Sequence, residues 1–147
     1  MTDTLRSTLD WFKEAVPTPT DRNVAVQLGC HLEEVEEMLR EIAFTDMDAV
    51  LDLQSAREFL LNLATYLKSS VGTVEVRNRK KLLDAICDQI VTGTGVAHML
   101  QMDILEAMRE VNNSNYSKFV DGKAVFDENG KIKKGAGYFR PNLEPFI

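Results

Sequence analysis

Sulfur and imidazole are scarce in this chain. Its two cysteines, Cys30 and Cys87, are far apart with no Cys-x-x-Cys spacing, and its two histidines, His31 and His98, stand alone. That scarcity speaks against a zinc site and against a disulfide framework. Both cysteines fall in expected helices and read as small, reduced, core or near-core residues. No apolar run approaches the roughly 20 residues that a membrane span needs. The opening Met1-Thr-Asp-Thr-Leu-Arg6 lacks the apolar stretch of a signal peptide. The expectation is a cytoplasmic protein with no membrane attachment. Basic residues are outnumbered, 17 against 23 acidic, for a net charge of −6, which argues against nucleic acid as a partner.

What is present suits a single globular domain: 147 residues, 44% of them hydrophobic, are enough to bury a core. Apolar residues recur at helical spacing almost throughout. Thr2 or Asp3 caps a first helix ending near Ala15, before Pro17 and Pro19, with Leu5, Leu9, Phe12 and Val16 in phase. Thr20 or Asp21 opens a second, reaching about Phe44, whose apolar stripe is Val24, Leu28, Leu32, Val35, Leu39 and Ile42. A third spans about Asp46 to Ser70, with Leu53, Ala56, Phe59, Leu60, Leu63 and Leu67 inward. A fourth begins near Arg77 and carries Leu83, Ile86, Ile90 and Ala97 as its core stripe. Gly93 and Gly95 lie within it, so close helix packing or a local irregularity is expected there. A fifth runs from about Met102 to Val111.

Beyond Asn112 the periodicity stops. Val125 to Ile132 reads as a β-hairpin turning on Asn129-Gly130, and Gly135, Gly137, Pro141 and Pro145 mark an irregular end. The predicted fold is all-α, an antiparallel bundle of about five helices over 1–112. Residues 113–147 form a basic hairpin and extended tail belonging to the same domain.

The densest signal is the acidic run His31-Leu-Glu-Glu-Val-Glu-Glu-Met-Leu-Arg-Glu41. At about 100° per residue, Glu34 and Glu37 lie one turn apart on the same side, with Glu41 on the same row. Asp84 and Asp88 share a face of the fourth helix in the same way. Stacked carboxylates repel unless water screens them or a cation holds them. Two facing rows would make an all-oxygen site suited to Mg²⁺. A solvent-facing helix side is the commonplace origin of such a run. Against it, the run contains no lysine, it borders the apolar stripe, and a second acidic pair recurs two helices on. A di-iron carboxylate site is disfavoured, because neither histidine has a glutamate three residues before it. The basic residues Lys118, Lys123, Lys131, Lys133, Lys134 and Arg140 crowd the tail. An acidic metal site beside a basic segment suits a metal-complexed phosphate ligand.

Glu33-Glu34-Val35-Glu36-Glu37 matches the EExxE motif of the MazG-like superfamily of all-α nucleoside triphosphate pyrophosphohydrolases. Asp84-Ala-Ile-Cys-Asp88 resembles its downstream acidic motif, with one departure: Ala85 stands where many members have a glutamate, and Asp84 is the acidic partner instead. Val111-Asn-Asn-Ser-Asn115-Tyr-Ser-Lys118, Asp121-Gly-Lys, Asp127-Glu-Asn-Gly-Lys131 and Lys134-Gly-x-Gly-Tyr138 resemble the tail of phage and bacterial MazG-like proteins. The resemblance runs from about residue 8 to the end.

The resemblance implies a Mg²⁺-dependent hydrolase, with Mn²⁺ as the ion that could substitute. It would release pyrophosphate and a monophosphate from a (deoxy)nucleoside triphosphate, in nucleotide-pool house-cleaning. Glu34, Glu37 and Asp88 would be the principal ligands, with Glu33 and Asp84 as ligands or as the base orienting water. Asn115 and Lys118, and less directly Lys131 and Lys134, would contact phosphate, while Trp11 or Phe12 would stack on the base. Wide apolar stripes on short helices, together with family habit, point to a homodimer or homotetramer. Two alternatives stay open. One is a non-catalytic helical module that binds another protein; the other is a relative of phosphoribosyl-ATP pyrophosphohydrolase.

Overall fold

Each α-helix among the described residues starts on a side chain that accepts a hydrogen bond from its own first turn, satisfying a backbone N–H that the helix cannot. Asp3 accepts from Arg6 N, Asp46 from Ala49 N, Asn78 from Lys81 N and Asp103 from Glu106 N. Thr20 and Asn23 form a reciprocal capping box. The structure, a computed structural model, describes residues 3–147. The five helices are α1 (Thr4–Ala15), α2 (Asp21–Arg40), α3 (Met47–Lys68), α4 (Arg79–Met99) and α5 (Ile104–Tyr116), followed by a 3₁₀ turn at Glu144–Phe146. The all-α class is therefore seen. Asp3 is the α1 cap; the alternative, Thr2, lies outside the described residues.

Two helices end where the apolar pattern alone would not place them. α2 stops at Arg40, short of Phe44, because the chain must reverse before Asp46 adopts the extended φ −74°, ψ 129° that lets it cap α3. α5 starts and ends later than expected, running through Asn112–Tyr116. Asn and Ser in a helix usually compete for its backbone. Here Asn112 bonds Thr4 O and Thr8 Oγ1, and Ser114 bonds Phe139 O, so both side chains are used elsewhere.

The chain divides into two compact units. One holds residues 18–75 and 126–131, that is, α2, α3 and the turn near Gly130. α2 and α3 are antiparallel: Gly29 meets Ala64, Leu67 and Lys68, while Glu36 reaches Arg57. Ala25, Val26, Gly29, Ala64 and Leu67 are the buried residues of this seam. Gly29 is required by approach distance. A Cβ there would lie 2.8 Å from Lys68 Cγ, 3.0 Å from the Ala64 carbonyl oxygen and 3.2 Å from Leu67 Cβ.

The other unit holds the chain up to Pro17, then 76–125 and 132–147. Its buried residues are Trp11 and Ala15 of α1, Ala97 of α4, and Asn112 and Ser114 of α5. Trp11 stacks on Phe119 at 5.8 Å with the rings 12° apart, and Phe12 meets it edge-on. Asp103 N–H donates to Phe146 O at 2.8 Å, tying the 3₁₀ turn to the start of α5.

The expected β-hairpin is not there: among the described residues there is no strand, and Val120 and Lys123 form an isolated bridge. The turn itself forms, with Gly130 at φ 78°, Asp127 N–H donating to Lys131 O, and Lys133 N–H to Val125 O. Asp127 Oδ1 also takes the N–H groups of Asn129 and Lys131. That side chain captures donors a ladder would need, so the segment closes as a turn.

The expected core stripes are only partly buried. Val24, Ile42, Phe59, Leu63, Leu83, Ile86 and Ile90 are exposed, as is every residue from 79 to 94. Gly93 and Gly95 have nothing within 4 Å of an added Cβ, so no close packing within the chain explains them.

Gly29→Val should destabilise the α2–α3 pair by about 1–3 kcal/mol, the usual cost of overpacking. Urea unfolding should show a lower midpoint with an unchanged slope; an unaltered midpoint would contradict the seam described here.

Candidate functional site

The acidic run of α2 divides in two according to which face each glutamate takes. Glu36 points into the α2–α3 seam and is 0% exposed. Burial of a lone carboxylate is prohibitive, so cations must answer it. Arg40, one turn on, reaches Oε2 at 2.5 Å, and Arg57 of α3 reaches Oε1 at 2.8 Å. These hydrogen bonds, to Arg40 first and then Arg57, hold the Glu36 carboxyl below the ordinary carboxylate range. Glu36 in turn pushes the Arg40 guanidinium up.

Glu33 is half-buried on the other flank of the seam and is also spent. Lys68, at the end of α3, donates to its Oε1, and the Lys131 ammonium lies 3.7 Å from its Oε2. Arg22 braces the same corner. Its guanidinium donates to the carbonyls of Leu67 at 3.0 Å and Lys68 at 2.5 Å, capping α3, and to Asn129 O at 3.4 Å. Cys30 sits here half-buried, and burial pushes its thiol up, away from a reactive thiolate.

Glu34 and Glu37, one turn apart, are exposed, and no salt bridge among the described residues involves either. Of the four glutamates between 33 and 37, two are thus paired by the fold and two are left to solvent.

In the other unit, Asp84 and Asp88 are one turn apart on the exposed stretch of α4, likewise without a salt bridge among the described residues. Asn115 and Lys118 come together, the ammonium donating to Asn115 Oδ1 at 2.7 Å and lying 5.7 Å from the Trp11 ring. Trp11 is only 6% exposed, and its Nε1 donates to Asn115 O at 3.0 Å. Its ring is core and shapes the seat of Lys118. Phe12 is half-buried beside it. Lys134 lies over the Tyr138 ring at 4.9 Å. A shallow cavity of about 180 Å³ between α1 and α5 is lined by Thr4, Ser7, Arg109, Asn112 and Asn113.

Among the described residues, no three His, Cys, Asp or Glu side chains are grouped where they could hold a metal ion. The described residues present pairs of carboxylates, Glu34 with Glu37 and Asp84 with Asp88. No helix among the described residues is long and apolar enough to cross a membrane. Comparison with family models, curated proteins and solved structures gave no match.

Periodicity alone does not find Glu36, Arg57, Lys68 or Arg22. Arg40, four residues after Glu36, is the one local signal of the buried triad. Arg57 and Lys68 are distant in sequence and become partners only through α2–α3 pairing.

Glu36→Gln should lower stability at neutral pH. The folded carboxyl titrates below its unfolded value of about 4.3, so its contribution is complete above that value and disappears as pH falls through the folded one. Thermal unfolding of wild type and variant should differ clearly at pH 7 and converge on strong acidification. A pH-independent difference would contradict the triad's charged state.

Proposed function

We propose that the protein hydrolyses nucleoside triphosphates to the monophosphate and pyrophosphate, and that it does so as a homodimer or homotetramer. One observation carries this reading: within Glu33–Glu37, Glu33 and Glu36 are held by salt bridges inside the fold, while Glu34 and Glu37 stay exposed one turn apart and make no salt bridge among the described residues. Neighbouring like charges on a helix face repel by roughly a few tenths of a kcal/mol, and a cation held between them would relieve that repulsion.

Asp84 and Asp88 repeat the arrangement on a helix whose apolar residues Leu83, Ile86 and Ile90 are also exposed. An apolar helix face beside an acidic pair favours association of copies, which would gather carboxylates that one chain leaves as pairs. Gly93 and Gly95 fit that reading, since an uncovered helix surface without side chains admits a close neighbour.

Mg²⁺, with Mn²⁺ as its substitute, would supply charge neutralisation of the triphosphate when bound. The chain's own part is positioning. Asn115 fixes the Lys118 ammonium, and Trp11 backs it with an aromatic face, so a cation is held in place for a phosphate oxygen. Exposed Glu34, Glu37, Asp84 and Asp88 provide hard oxygen donors and a base for water.

The exposed α4 face also favours a second reading, a non-catalytic module that docks on another protein, in which the carboxylates have no role. With Mg²⁺ present, a panel of nucleoside triphosphates should yield pyrophosphate. Glu37→Gln and Asp88→Asn should each lose about a hundredfold or more in rate, comparable to removing a transition-state contact, while remaining folded. Orthophosphate as the sole product would contradict the proposed bond cleavage, and full activity in both variants would favour the docking module. The double variant Ile86→Lys/Ile90→Lys should convert the oligomer to monomer by light scattering and abolish turnover. An unchanged mass would contradict α4 as the interface.

A further inference from the structure

Two ammonium groups converge on one carboxylate at the corner formed by α2, the end of α3 and the 126–131 turn. Lys68 holds one oxygen of Glu33 and Lys131 approaches the other. Neither lysine is placed loosely. Lys68 follows Leu67, and the carbonyls of both are clamped by Arg22. Lys131 closes the turn whose backbone Asp127 gathers, and Asn129 of that turn is bonded to the same Arg22. Its ammonium remains more than half exposed, whereas the Lys68 side chain is 23% exposed. Two cations fixed on the two oxygens of a single planar anion are arranged as they would be around two oxygens of a phosphate. Among the described residues, Glu33 is the one carboxylate in salt-bridge contact with the two lysines.

We propose that Lys68 and Lys131 form a receptor for the phosphate chain of a nucleotide, and that Glu33 occupies it as an internal counter-anion in the unliganded protein. The identity of the anion rests on the nucleotide reading above; the two-lysine receptor rests on the salt bridges. Glu33 is then a gatekeeper that a phosphate must displace. The displacement sets a threshold against singly charged anions, because a phosphate chain brings more charge than the carboxylate it replaces.

The test is calorimetric titration of inorganic tripolyphosphate into the full chain without divalent metal. Glu33→Gln should bind about tenfold tighter than wild type, since an amide no longer competes for the ammonium groups. Lys68→Met and Lys131→Met, placed on the Glu33→Gln background, should each weaken binding about tenfold, one charge-assisted hydrogen bond's worth. Lys133→Met should leave it unchanged, and a nucleoside lacking phosphate should respond to none of these variants. Equal affinity of wild type and Glu33→Gln, or of Lys68→Met and its parent, would overturn the receptor. Such a failure leaves pyrophosphate release untouched, whereas orthophosphate release with intact tripolyphosphate binding would defeat the hydrolase reading alone.

Discussion

The buried charge of Glu36 is the constraint around which the α2–α3 unit is arranged. A carboxylate sealed between two helices has to be met by cations: Arg57 of α3 reaches across to Glu36 and ties the register of the antiparallel pair, while Arg40, one turn along α2, holds the other oxygen. The close approach at Gly29 brings the seam near enough for Arg57 to reach across. The same pairing brings the end of α3 beside Glu33, where Lys68 takes it up. Two of the four glutamates between 33 and 37 are thereby paired within the chain, Glu36 inside the seam and Glu33 at the end of α3. Glu34 and Glu37 inherit whatever ligand chemistry the helix has.

The apolar surface follows a different logic. Helices α2 and α3 cover one stripe of each other, and small residues do most of the covering: Ala25, Gly29 and Ala64. Larger residues expected inside, such as Phe59, Leu63, Leu83 and Ile86, stay exposed. A periodic stripe reports that a helix face will be buried and says nothing about whose surface buries it. Covering such residues is what the proposed association of copies would accomplish.

Much of the helical framework was legible because each helix carries its own start signal. Asp3 and Thr20 are each one of the two capping candidates that the sequence offers, and they are the residues that cap α1 and α2. The end of α2 was not legible: Ile42 and Phe44 continue its apolar phase, and only the geometry needed by the Asp46 cap cuts it short. The polar end of α5 was hidden for the opposite reason, since Asn112 and Ser114 look like helix breakers until Thr4 and Phe139 supply their partners. The hairpin failed on Asp127, whose side chain takes the donors the ladder required. For the candidate site, spacing placed Glu34 with Glu37 and Asp84 with Asp88 correctly on single helix faces. It could not separate exposed glutamates from paired ones, because that division depends on Arg57, Lys68 and Lys131, each supplied from elsewhere in the chain.

The division of the glutamates is most directly tested by titrating Mn²⁺ into the protein while following the paramagnetic signal of the free ion. Wild type and Glu33→Gln should bind the ion alike, and Glu34→Gln and Glu37→Gln should each lose most of the affinity. Loss of binding in Glu33→Gln equal to that in Glu37→Gln, or undiminished binding in Glu34→Gln and Glu37→Gln, would contradict the account.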